Sequence, residues 1–154
     1  MSRLLQLAAA TVVGLATALP AAAQFQKPED AVKYRQSAMF VMGNHMGRLG
    51  AMAQGRVPFD AAQAAANAEI VATLSKLPFV GFIEGTSSNS GAKTKAKPEV
   101  WTERAKFDAG ATRLQEETAK LSAAAKTGNL DQIRSAVGEV GKVCKGCHDT
   151  YWNQ

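Results

Sequence analysis

The chain has 154 residues, of which 46% are hydrophobic, 6% aromatic and 20% charged, with 13 Gly, 5 Pro and 2 Cys. That length and apolar content suit one domain with its own core, and the composition excludes collagen-like, disordered and disulfide-framework classes. The formal charge of +5, with a sequence pI near 9.4, is too small and too dispersed to imply a nucleic-acid partner.

Residues 1–23 read as a secretory signal peptide. Met1 to Arg3 gives a short basic start, Leu4 to Leu19 an apolar run, and Ala21-Ala22-Ala23 a small-residue cleavage site before Gln24. The run is short for a bilayer span and no stop-transfer flank follows it, so no membrane anchor is expected after cleavage. Arg3 is the only charge lost, which leaves a mildly basic exported domain over residues 24–154, near +4.

From there four helices are predicted. Pro28 with Glu29 and Asp30 suits a first helical turn, where a missing N–H costs little and acidic side chains meet the positive end of the dipole. Val32, Arg35, Met39, Met42, Met46, Leu49 and Ala53 then alternate steps of three and four up to a stop at Gly55. Asp60 is the expected N-cap of an alanine-rich second helix carrying Ile70, Val71, Leu74 and Leu77 to Pro78. Between Gly81 and Lys97 no hydrophobic period survives, which marks a long connection. Pro98 and Glu99 open a third helix bearing Val100, Phe107, Ala111, Leu114, Leu121 and Ala125, with Arg104 and Thr118 interrupting the stripe, and Gly128 ends it. Asn129 caps a fourth with the register Leu130, Ile133, Val137, Val140, Cys144, Cys147 and Tyr151. No period-two alternation supports a sheet. The expectation is an all-α, antiparallel four-helix bundle in up-down-up-down order.

Both cysteines fall in Cys144-Lys145-Gly146-Cys147-His148, the pattern for covalent attachment of a c-type haem. At i and i+3 on a helix two thiols share a face and each can add to a vinyl group of the porphyrin, while the adjacent His148 can reach the iron from the same side. Competing readings are a disulfide, poorly served by helical geometry; a thioredoxin-type pair, which wants a βαβ context; a zinc site, for which His45 is the only other histidine; and two buried structural cysteines. Export, helical context and the adjoining histidine favour one haem.

Arg35 occupies an inward position, where a charge is costly unless paired. A haem propionate would pair it; the alternative is an arginine that snorkels from the core edge. Met39 lies one turn further on the same face. It either coordinates iron opposite His148 or fills the distal pocket as an apolar lid. His45 is a weaker sixth-site candidate, because it falls beside the stripe.

The stretch from Gln24 to Ser37, the Leu74-Ser75-Lys76-Leu77-Pro78 segment, Pro98-Glu99-Val100-Trp101 and Cys144-Lys145-Gly146-Cys147-His148-Asp149 together resemble cytochrome c′, within the class II cytochromes c. The resemblance spans essentially residues 24–154. It implies a left-handed four-helix bundle, often a homodimer, in the periplasm. Cys144 and Cys147 would bear the thioethers and His148 would be the proximal ligand. Arg35 and Gln36 would lie by the propionates, and Met39, Phe79 and Phe82 would help form the distal pocket. Many members are five-coordinate and bind NO or CO, while low-spin relatives use a methionine at the Met39 position.

Two positions depart from the usual pattern. Where the family often has a basic residue four positions after the proximal histidine, near the face where NO can replace that histidine, this chain has Trp152, so gas chemistry on that face does not carry over. Met39 with Gly43, His45 and Met46 looks more like the low-spin relatives. The lead function is therefore electron transfer, with NO or CO binding as the alternative; no nucleophile constellation supports an enzyme. The redox partner is unidentified. Lys142 and Lys145 near the haem end are the side chains an acidic partner would meet, although surface lysines are ordinarily just solvated.

Overall fold

The computed structural model describes residues 24–153; the predicted signal peptide, residues 1–23, lies outside them. The elements are α1 (Pro28–Ala53), α2 (Ala61–Leu74), a short α3 (Glu99–Thr102), α4 (Arg104–Lys126) and α5 (Leu130–Tyr151), with single 3-10 turns at Pro78–Gly81 and Ser88–Ser90. Among the described residues there is no strand, only one isolated antiparallel bridge between Ala96 and Trp152. No described helix is long and apolar enough to cross a membrane.

Local chemistry sets most of the ends. The Asp60 side chain accepts from the Gln63 N–H at 2.9 Å, and Asn129 accepts from Asp131 and Gln132, so both expected N-caps are made. Helices α1 and α4 run out into Gly55 and Gly128, both in the left-handed region. Two expectations are corrected. The second helix stops at Leu74, short of Leu77, and Ile70 and Leu77 both face outward. The third is not continuous from Pro98: Glu103 leaves helical geometry at φ −114°, ψ 37°, separating α3 from α4. Arg104, the interrupting residue, points out and pairs with Asp108 at 2.9 Å instead of entering the core. Thr118, the other interruption, is buried, and its hydroxyl donates to Ser75 Oγ at 3.0 Å, so the polar position is satisfied across α2 and α4.

The four long helices pack in a ring: α1 on α2, α2 on α4, α4 on α5 and α5 on α1. Arg134 at the start of α5 donates to the Ala53 carbonyl at the end of α1, and Gly128 after α4 approaches Ala61 at the start of α2. Neighbours are therefore antiparallel in the expected up-down-up-down order. Leu49, Val71, Leu121, Ile133 and Val140 fill the central core. At the opposite end, where α1 begins and α5 finishes, a second cluster of Ala96, Val100 and Phe107 forms with Phe79, Phe82, Trp101, Cys147 and Tyr151 around it.

Gly81 lets the turn after α2 seat against α1. A Cβ there would stand 2.7 Å from the Ala31 carbonyl oxygen and 3.0 Å from Arg35 Cβ, against backbone that cannot give way. Gly81→Ala is expected to destabilise the fold by about 1–3 kcal/mol, read as a lower denaturant midpoint with an unchanged slope. An unchanged midpoint would show that the turn is free to shift.

Candidate haem site

At the end of the bundle, lined by the second cluster, lies a cavity of about 670 Å³, within the usual range for a bound cofactor. Its apolar wall is built by the turn after α2 and the start of α4. Phe79, Phe82 and Phe107 pack edge to face and stacked with ring centroids 4.8–6.3 Å apart, and Tyr151 meets Phe107 at 5.4 Å. Cys147 and His148 of α5 form another side, and Arg35, Gln36 and Met39 of α1 a third. The cavity thus gathers every residue expected at the site except Cys144. That thiol sits one turn earlier, against the central core beside the cavity. No disulfide joins Cys144 and Cys147. Burial pushes both above their ordinary range, and Cys144 adds a smaller push to Cys147.

Arg35 is the most constrained charge at the site. Only 2% exposed, it donates through Nη1 to the Gly81 carbonyl at 2.9 Å and Thr86 Oγ1 at 2.7 Å, and through Nη2 to the Thr86 carbonyl at 2.6 Å and Thr94 Oγ1 at 3.0 Å. Its guanidinium carbon lies 4.4 Å from the Phe82 ring centroid. Desolvation lowers its pKa to about 10, which leaves it charged at neutral pH. The expected inward placement is present, but the partners are oxygens of the 81–94 connection. Gln36 donates to the Lys93 carbonyl at 3.0 Å from an exposed position.

His45 is off the cavity wall, its Nδ1 2.7 Å from Asn67 Oδ1 on α2. Among the described residues no cluster of three or more His, Cys, Asp or Glu side chains is placed to hold a metal ion. Sequence reasoning missed the wall made by Lys93, Thr94, Lys95 and Ala96. That segment has no hydrophobic period to reveal it. Val100, Phe107 and Tyr151 were visible as stripe residues, with nothing to mark them as cavity lining. The segment is tied to the end of α5: Lys97 N–H donates to the Tyr151 carbonyl at 2.9 Å and Asn153 N–H to the Lys95 carbonyl at 2.8 Å.

The residues fit a porphyrin. Aromatic and aliphatic walls would suit its faces, the buried Arg35 guanidinium lines the cavity, and Cys147 and His148 line it from α5 with Cys144 one turn away on the same helix. A helical bundle with this end cavity and this pentapeptide defines a c-type haem protein. Comparison with known proteins gives the same class. The family model for cytochrome c′ matches residues 30–152. The cytochrome c′ of Rubrivivax gelatinosus is 54% identical over 128 residues, covering 83% of this chain and 98% of that one. Its crystal structure superposes with a TM-score of 0.80 at 53% identity, over 84% of this chain and all of that one. A mutant cytochrome c′ from Alcaligenes xylosoxidans, solved as its nitric oxide complex, gives a TM-score of 0.78 at 47% identity, over 84% and 98% of the two chains. The chain belongs to the cytochrome c′ family, whose cofactor is covalent haem c, and both cysteines for that attachment are present.

Removing Arg35 would orphan several buried acceptors at once. Arg35→Leu is expected to destabilise the protein by about 2–4 kcal/mol and to open the 82–97 connection to trypsin at Lys93 and Lys95. The pH dependence has a defined sign. The folded value of about 10 lies below the ordinary arginine value, so Arg35 adds no pH dependence below about 10, and above it the wild type gains relative to the variant as pH rises. A difference between the two proteins that varied through neutral pH would contradict this assignment.

Proposed function

We propose that the protein is a periplasmic monohaem c-type cytochrome that carries electrons, with His148 as proximal iron ligand and Met39 as the sixth. One observation carries the reading: Met39 and His148, from different helices, line the same cavity. Haem c supplies a one-electron Fe(III)/Fe(II) couple, and a thioether opposite an imidazole favours low-spin iron in both states and a raised potential. Cys144 and Cys147 fix the group to α5 beside His148. Phe79 and Phe82 wall the distal side and keep water out. Arg35 and Gln36 would face the propionates, where a buried cation already held by four hydrogen bonds offers a fixed positive field without moving. Electron carriage needs no catalytic turnover, and none is assigned.

Two copies are expected to pair through α1. Phe40 is 72% exposed at the edge of a surface groove lined by Gly43, Asn44, Gly47, Arg48 and Ala51, which suits close helix approach. The alternative function, a five-coordinate high-spin protein that binds NO or CO, is favoured by the nitric oxide complex of the Alcaligenes xylosoxidans relative.

Optical spectra of the haem-loaded protein separate the two. Electron carriage through a Met39-ligated iron predicts sharp low-spin bands in the reduced state, slow or absent CO uptake, and conversion to a high-spin, CO-binding spectrum in Met39→Ala. High-spin bands with ready CO uptake by the wild type would overturn Met39 ligation and favour gas binding.

A further inference from the structure

The excess positive charge is confined to one part of the chain. Residues 24–97 carry nine basic and five acidic side chains, whereas residues 98–154 carry eight of each. The ion pairs follow that division. Arg104, Lys106, Arg113, Lys120, Arg134, Lys142 and Lys145 each pair with a carboxylate from α4, α5 or the residue between α3 and α4, and Lys126 pairs with Glu69. Lys142 and Lys145, the sequence-based candidates for meeting an acidic partner, are thus held by Glu139 and Asp149 on their own helix at 2.7 and 2.5 Å. Lys33, Lys93 and Lys95 have no such partner among the described residues and are exposed.

Lys93 and Lys95 stand at the mouth of the haem cavity together with Trp152. Trp152 is 44% exposed. One side of its indole meets the His148 imidazole at 5.0 Å between ring centroids, and the Lys95 Nζ sits 5.2 Å from its ring centroid. The strap between residues 95–97 and 151–153 fixes both elements, and Gln36 holds the Lys93 carbonyl. An exposed aromatic ring with unpaired cations beside it, on backbone already ordered, has the anatomy of a small recognition surface with little entropy left to lose. Lys93 and Lys95 are exposed cations on the cavity lining, and the third, Arg35, is buried behind them. A second copy meeting this face through a two-fold axis would oppose like charges.

We propose that the Lys93–Lys95–Trp152 face is the docking surface for an acidic electron-transfer protein. This rests on the electron-carrier reading but not on the identity of the sixth ligand. The lysines steer and orient the acidic partner, and the indole places it one aromatic ring from the proximal ligand, where the path to the iron is short.

Stopped-flow oxidation of the reduced, haem-loaded protein tests this with defined probes. Hexacyanoferrate(III) takes one electron and becomes hexacyanoferrate(II), leaving the protein ferric with no bond or proton exchanged; tris(phenanthroline)cobalt(III) is the cationic counterpart. The K93E/K95E variant is expected to slow hexacyanoferrate oxidation by about tenfold at low ionic strength, with the difference shrinking as salt is added. The same variant should speed oxidation by the cobalt complex. Poly-L-glutamate should inhibit the hexacyanoferrate reaction of the wild type but not of K93E/K95E. R56E/K126E changes net charge equally at the far end of the bundle and should alter the rate by less than about twofold. K93Q/K95Q, a milder change for the strap, should fall between wild type and K93E/K95E.

Equal slowing by the near and far pairs, or none by either, would overturn the docking surface while leaving electron carriage standing. Self-association in sedimentation that disappears in K93E/K95E would assign the face to a second copy and overturn the proposal. Failure of both oxidants to take an electron from the wild type would overturn the carrier reading itself, and the docking surface with it.

Discussion

An apolar cavity inside a close-packed bundle loses dispersion contacts on its walls, a cost that is recovered when an apolar group fills it. That constraint organises this molecule. The central helices pack tightly through Leu49, Val71, Leu121, Ile133 and Val140. At one end the packing gives way to a hollow bounded by Phe79, Phe82, Val100 and Phe107, and the single Cys-x-x-Cys-His segment of the chain borders it. Covalent haem resolves the difficulty: the cofactor becomes the core of that end, and the thioethers keep it there.

Arg35 couples this end of the bundle to the long connection. Its two terminal nitrogens reach Gly81, Thr86 and Thr94, which curl the segment over the top of α1 and bring residues 93–97 against the end of α5. The same contacts therefore close the cavity, shape its mouth and set the lysines beside Trp152. Stability, cofactor enclosure and surface charge at this end share one set of hydrogen bonds.

Much of the fold was legible because helix signals are local. The Asp60 and Asn129 caps, the Gly55 and Gly128 ends and the three-four spacing of α1 and α5 depend on residues within a turn or two of each other. The break at Glu103 and the early end of α2 were not, because each answers to packing: Val100 and Trp101 turn into the aromatic cluster while Arg104 turns out to Asp108. At the site, the pentapeptide and the inward Arg35 were readable from chemistry alone. The strap across Ala96 and Trp152 was not, since it joins residues more than fifty positions apart and one side of it has no periodic pattern. The partners of Arg35 were invisible for the same reason, and a propionate was the expected counter-charge where carbonyl and hydroxyl oxygens also serve.

Family membership, the enclosing bundle and the cysteine pair all converge on a porphyrin joined to α5. Mass spectrometry of the chain exported from cells with competent haem-attachment machinery tests that link directly. The account predicts residues 24–154 plus the mass of one haem, retained after acid-acetone extraction and lost when Cys144 and Cys147 are both replaced by serine. A polypeptide of unmodified mass from the same cells would contradict it.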